Sequence, residues 1–167
     1  GLLPHGLRYL KLGDDYAKAF IAGSFPCRLF ALTVGCSFNQ PLVEGVFPQG
    51  MNSLSLGDKF NQPLLLRVLP AELRKLSLGD AFNQPMHKSV LQQKIRKLIT
   101  GARFNSNIEA GALPLSMQCL DLGNGDFNRS LGKRVLPSNL RTLALGPYYD
   151  HSLEQSVFPA SIRELHI

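Results

Sequence analysis

No tryptophan occurs in this chain, cysteine and methionine occur three times each, and charged residues fill only 18% of its 167 positions. Each scarcity excludes something. Cys27, Cys36 and Cys119 form neither an even set nor a C-x-x-C pair, so free thiols are expected in place of a disulfide framework or a thiolate metal site. No apolar run approaches the roughly 18 residues that cross a bilayer, and no signal-peptide pattern is visible. There is no G-x-S-x-G, no phosphate-cradling G-x-x-x-x-G-K and no dinucleotide fingerprint. His5, His87, His151 and His166 have no second ligand at a metal spacing. The chain therefore offers no catalytic residue, no metal ligand set and no cofactor site, and an enzyme is not expected. With 44% apolar content and few charges, disorder is excluded as well.

What the chain does contain is one phrase written repeatedly. From Gly57 to Met86 it reads GDKFNQPLLLRVLPAELRKLSLGDAFNQPM, nearly the same words twice. With the proline of the Leu-Pro step as a ruler, the phrase recurs at Pro4, Pro26, Pro48, Pro70, Gln92, Pro114, Pro137 and Pro159. The spacing is 22 residues throughout, except for one interval of 23 that carries an extra residue between Gly123 and Phe127. A fixed period of this length implies stacked units that bury a continuous core between neighbours.

Each copy then dictates its own geometry. After the proline come apolar residues at i, i+3 and i+5 and a closing glycine, as in Leu73, Leu76, Leu78 and Gly79. The last two alternate as a half-buried strand requires. Strands are expected near 8–12, 30–34, 52–56, 74–78, 96–100, 118–122, 141–145 and 163–167, with Thr100 the one polar residue in the final apolar column. An aromatic column follows at Tyr16, Phe38, Phe60, Phe82, Phe104, Phe127 and Tyr149, sized to fill each coil. Beside it stand Asn39, Asn61, Asn83, Asn105 and Asn128, whose amides are expected to bond turn backbone buried between coils. Twenty-two residues leave no room for a strand, two turns and an ordinary helix. The return side should be extended or tightly turned, with Pro41, Pro63 and Pro85 fixing φ there. The fold class is thus a mainly β repeat solenoid, a parallel leucine-rich-repeat-like stack with one short strand per coil and little or no helix. Residues 1–167 read as a single domain of about seven and a half repeats, right-handed by the general preference of parallel crossovers.

Leu-x-x-Leu-x-Leu-Gly followed by Phe-Asn-Gln-Pro-Leu every 22 residues resembles the FNIP repeat, a leucine-rich-repeat relative of slime moulds, other protists and certain giant viruses. The likeness covers the whole chain and is strongest from Gly35 to Phe127. At the ends Tyr16-Ala17 and Tyr149-Asp150 replace Phe-Asn, and copies five and six read Asn105-Ser106-Asn107 and Asn128-Arg129-Ser130. The resemblance implies a solenoid that binds proteins, in some members attached to an F-box, and no F-box-like segment occurs in these residues.

Two columns could carry chemistry. Gly-Asp recurs at Asp14, Asp58 and Asp80, but the glycine-rich nonapeptide of calcium-binding β-helices is absent, so side-chain turn bonds are expected. The outward strand positions are more informative. One column reads Arg8, Phe30, Asn52, Arg74, Arg96, Gln118, Arg141, Arg163, and the next includes Lys75 and Lys97. Arg74, Lys75, Arg96 and Lys97 should form a basic cluster on adjacent strands of a chain with net charge +6, extended along the stack by Arg141 and Arg163. Such a face attracts acidic surfaces, and it also keeps an exposed sheet soluble and unpaired. Nucleic acid is disfavoured because the only aromatics in these columns, Tyr9 and Phe30, lie away from the cluster.

The expected function is a non-catalytic protein-interaction scaffold that binds an acidic protein partner through its exposed strand face, with the solenoid ends as a further candidate surface, and needs no cofactor. The alternative is a structural accessory subunit of a larger assembly, suggested by terminal coils that carry no polar caps. The chain reads as part of a longer chain or assembly. An intracellular setting is expected, cytoplasmic for a scaffold or organellar for an accessory subunit, and association with a membrane complex stays open.

Overall fold

The computed structural model describes residues 3–123, 125–152 and 157–167. It contains eight strands: β1 (Tyr9–Lys11), β2 (Ala31–Thr33), β3 (Ser53–Ser55), β4 (Lys75–Ser77), β5 (Lys97–Ile99), β6 (Cys119–Asp121), β7 (Thr142–Ala144) and β8 (Glu164–His166). They form one parallel sheet in chain order. No helix occurs among the described residues. The chain is a parallel β-solenoid in which each coil contributes one strand and returns through turns.

The strands are three residues long, one shorter at each end than the sequence pattern suggests. The reason lies in the flanking bonds. The carbonyl before each strand accepts two donors from the next coil, as Arg74 O does from Arg96 N at 2.9 Å and Lys97 N at 3.0 Å. The residue after each strand still donates across the stack, as Leu78 N does to Ile99 O at 2.9 Å, but then enters the glycine turn. Pairing thus extends past the strand while regular strand geometry does not.

Register follows from the leucines. Leu10, Leu32, Leu54, Leu76, Leu98, Leu120, Leu143 and Leu165 oppose one another at the strand centres. Slipping by one residue would turn this whole column to solvent, so burial of one face specifies the pairing. The longer interval is absorbed before the stack resumes: β6 and β7 still pair Leu120 with Leu143, 23 residues apart. Thr100 is buried without penalty, because its hydroxyl donates to Asp121 O at 3.3 Å.

Behind the leucines the aromatic column forms a continuous stack. Ring centroids of Phe38 and Phe60, Phe60 and Phe82, and Phe82 and Phe104 are each 6.1 Å apart, with planes 8°, 1° and 12° from parallel. Tyr16 and Tyr149 continue the stack at its two ends. The five phenylalanines are fully buried, and truncating one would cost about 3–5 kcal/mol. The first and last coils are less covered: Leu7, Leu10 and Leu12 are half-buried, and Leu165 and Ile167 are exposed.

The return side is irregular, with one isolated parallel bridge between Met86 and Ile108. The first six returns each include a left-handed residue, glycine at Gly23, Gly45 and Gly111 but Arg67, Ser89 and Arg134 in the other three, with φ of 63°, 65° and 66° for those. A side chain in that region carries strain.

The glycine that closes each strand has a different cause. A Cβ on Gly57 would lie 1.7 Å from Gly35 O, and one on Gly79 would lie 1.9 Å from Gly57 O. From Gly35 onward coils touch backbone to backbone at this column, so no side chain fits, whereas Gly13 in the first coil has no such neighbour. Gly57→Ala should therefore destabilise by about 1–3 kcal/mol or more through overpacking. Gly50→Ala, where nothing lies within 4 Å of the added methyl, should be neutral or slightly stabilising. Urea unfolding of the two variants checks this, and equal midpoints would contradict the close approach.

Candidate functional site

The outward face of the sheet places charge at the coil spacing. Lys75 opposes Lys97 in the β4–β5 register. Arg74 and Arg96 occupy the position just before those strands, joined through Arg96 N to Arg74 O at 2.9 Å. Arg141 and Arg163 are related likewise, through a 2.8 Å bond, at β7 and β8. All six side chains are exposed. The structure thus brings Arg74, Lys75, Arg96 and Lys97 together and sets Arg141 with Arg163 further along the same column, with Gln118 between the two arginine pairs.

Among the described residues there are two ion pairs, His87 with Glu109 at 2.9 Å and Lys94 with Glu72. Neither involves these six cations. A shallow depression of about 430 Å³ lies over the far half of the column, lined by Arg96, Gln118, Arg141 and Arg163 above a floor that includes Ser116, Asn139 and Ser161.

At the other rim of the coil the asparagines form a hydrogen-bonded ladder. Asn39 Oδ1 accepts from Asn61 N at 2.9 Å, Asn61 Oδ1 from Asn83 N at 2.9 Å, Asn83 Oδ1 from Asn105 N at 2.9 Å and Asn105 Oδ1 from Asn128 N at 3.1 Å. Asn128 extends it to Asp150 N at 3.1 Å. The expectation that these amides serve groups buried between coils needs correction. Asn39, Asn83 and Asn128 are exposed, Asn61 and Asn105 are half-buried, and each oxygen bonds forward to the next coil.

The positions after Asn61, Asn83, Asn105 and Asn128 supply a second donor, a shared role that their differing residue types did not suggest. Gln62 and Gln84 donate to the oxygens of Asn39 and Asn61 at 3.1 and 3.0 Å. Ser106 Oγ donates to Asn83 O at 2.6 Å, and Arg129 Nε donates to Asn105 O at 2.9 Å. The readable signal is chemical: this column changes residue type but stays a hydrogen-bond donor, so the departures in copies five and six keep the contact.

The aspartate column bonds to the next coil and not, as expected, within its own turn. Asp80 Oδ1 accepts from Ala102 N at 3.4 Å, and Cys36 Sγ donates to Asp14 Oδ1 at 3.7 Å. Hydrogen bonding to Asp58, together with the charges of Asp14 and Asp58, pushes the Cys36 thiol above its ordinary pKa. Among the described residues no three acidic, histidine or cysteine side chains converge as a metal site. The four histidines are exposed, and the three cysteines are free.

Two outcomes follow from these contacts. Asn61→Ala removes the side-chain acceptor for both Asn83 N and Gln84 Nε2 at a half-exposed rim, and should cost about 0.5–1.5 kcal/mol, read as a melting point lower by about 1–6 °C. An unchanged melting point would show that water replaces the bonds at no cost. Asp58→Asn should lower the Cys36 pKa and speed its alkylation by iodoacetamide near neutral pH, since the thiolate is the nucleophile. An unaltered rate would contradict the assigned contact.

Three comparisons bear on this geometry. The FNIP Repeat family matches residues 38–81, 82–125 and 127–167. Among solved structures, the chain is similar to CroV588, described as a novel circular LRR protein, with 26% identity and a TM-score of 0.64. That alignment covers 99% of this chain and 34% of the other, so the chain spans about a third of that protein's length. No curated protein matches it. Three successive matches lie on the same glycine, aromatic, asparagine and leucine columns that build the coils, and the chain belongs to the FNIP-repeat family.

Proposed function

We propose that this chain is a non-catalytic protein-interaction scaffold that docks an acidic protein on its outward strand face. The observation that carries the reading is the Arg74, Lys75, Arg96 and Lys97 cluster, four exposed cations on adjacent coils with no carboxylate partner among the described residues. Like charges held at one strand spacing repel, and an acidic partner relieves that repulsion. A flat sheet flanked by polar residues such as Ser53, Ser55 and Ser77 suits a protein surface better than a small molecule. Repeat solenoids of this type commonly serve in interaction, and their exposed strand faces are extended binding surfaces.

A second reading has its own observation. Ile21, Val43 and Leu65 occupy equivalent return-side positions in three consecutive coils and are 74%, 49% and 57% exposed. Contiguous exposed apolar residues mark contact surfaces, which suits a structural subunit packed permanently through its return side. The likeness to about a third of a circular protein supports treating the solenoid as one unit of a longer architecture.

The two readings separate by mutation. Partners captured from source material by the wild-type chain should be lost with Arg74→Glu/Arg96→Glu, and their association with wild type should slow as salt rises. A structural subunit should instead keep its partners in that variant and lose them with Val43→Ser/Leu65→Ser. Circular dichroism controls for folding. Capture unaffected by charge reversal would remove the basic face from the mechanism.

A further inference from the structure

We propose that the depression over β5–β8 holds a phosphorylated segment of a protein partner, its phosphoryl group clamped between Arg141 and Arg163. The inference deepens the strand-face reading and rests on it. Arg163 N donates to Arg141 O at 2.8 Å, so the two arginines start from directly stacked backbone, about 4.8 Å apart at the usual strand spacing. Gln118 and Arg96 line the same depression one and two coils before Arg141.

The guanidinium groups, and not the serines beside them, make the depression a site for anions. Ser116 Oγ and Ser161 Oγ donate to Ile95 O at 2.7 Å and Leu140 O at 2.6 Å, and Asn139 Nδ2 donates to Leu115 O at 2.9 Å. The two serine hydrogens and one of the two Asn139 amide hydrogens are thereby committed to backbone. The donors left to meet a ligand are the three guanidinium forks, the second Asn139 amide hydrogen and the Gln118 amide, which makes no side-chain hydrogen bond among the described residues. No carboxylate lines the depression. Glu164, beside Arg163 in sequence, accepts from Thr142 Oγ1 at 3.0 Å in the neighbouring column.

Charge count then chooses the ligand. A carboxylate carries one charge and leaves one of two stacked arginines unmatched. A phosphomonoester carries about −1.5 to −2 at pH 7 with three acceptor oxygens, and guanidinium forks bind such oxygens in pairs. Arg96 and Gln118 remain for acidic or polar residues flanking the phosphate. Nucleic acid fits less well: its phosphodiesters carry one charge each, and strand binding without base pairing relies on aromatic stacking. The aromatics of this face are at the opposite end, where exposed Tyr9 packs on half-buried Phe30 with centroids 6.0 Å apart and Arg8 sits 5.7 Å above the Phe30 ring.

The test uses fluorescence anisotropy with three peptide libraries of degenerate flanks and a fixed central phosphoserine, glutamate or serine. The phosphoserine library should bind at least tenfold tighter than the glutamate library. Arg141→Gln/Arg163→Gln should remove that difference, while Lys75→Gln/Lys97→Gln should weaken the charged libraries alike, with circular dichroism unchanged in both. Equal binding of phosphoserine and glutamate libraries would overturn the phosphate clamp and leave the acidic-partner reading standing. Phosphate selectivity that survives loss of both arginines, or no binding at all, would also overturn it. Competition by inorganic phosphate as strong as by the phosphoserine peptides would reduce the site to a bare anion pocket and defeat the proposal.

Discussion

Parallel hydrogen bonding between chemically equivalent positions, one coil apart, is the constraint on which this molecule depends. Because every strand pairs with the next in the same register, residue types stack on themselves: leucine on leucine, phenylalanine on phenylalanine, glycine on glycine. Each column therefore obeys a single rule for the whole length of the sheet. The glycine column shows the rule at its strictest, since a methyl group there would lie inside the backbone of the preceding coil. The aromatic column fills the space that this close approach leaves on the other side of the turn. Burial of the leucine face holds the register, and the register in turn places every exposed side chain.

That same constraint explains what was legible beforehand. A column that must be buried admits few residue types, so Leu54, Leu76 and Leu98, or Phe60, Phe82 and Phe104, announce themselves by identity and period. The 23-residue interval was readable because Leu131 and Pro137 resume the count, and Leu120 pairs with Leu143 accordingly. Parallel topology, the absence of helix among the described residues and the position of each strand all follow from the period. Strand length was overestimated because the apolar alternation continues into Leu78 and Leu122, whose bonds to the next coil outlast regular strand geometry.

Columns governed by hydrogen-bonding capacity were harder to read. The donor column of Gln62, Gln84, Ser106 and Arg129 has no common residue type, and only its geometry shows a common task. The asparagines were visible as a ladder, but their exposure was not, because polar identity does not distinguish a rim from an interior. Left-handed backbone was recognisable in principle at Gly23, Gly45 and Gly111 and hidden at Arg67, Ser89 and Arg134, where the coil imposes the conformation against side-chain preference. The basic column was legible as charges at fixed spacing. The depression over its far half was not, since part of its lining is made by side chains bonded to backbone three positions before a strand.

A solenoid turns sequence position into surface position with little distortion, so exposed columns can change residue type while the buried ones hold the stack. This separates binding from folding, and it lets the outward cations be tested without disturbing the core. The most direct measurement is acetylation footprinting of lysines in the chain alone and with its captured partner. Docking on the strand face predicts that Lys75 and Lys97 become protected while Lys88 and Lys133, exposed on the return side, keep their reactivity. Protection of Lys88 and Lys133 with Lys75 and Lys97 unchanged would contradict the account.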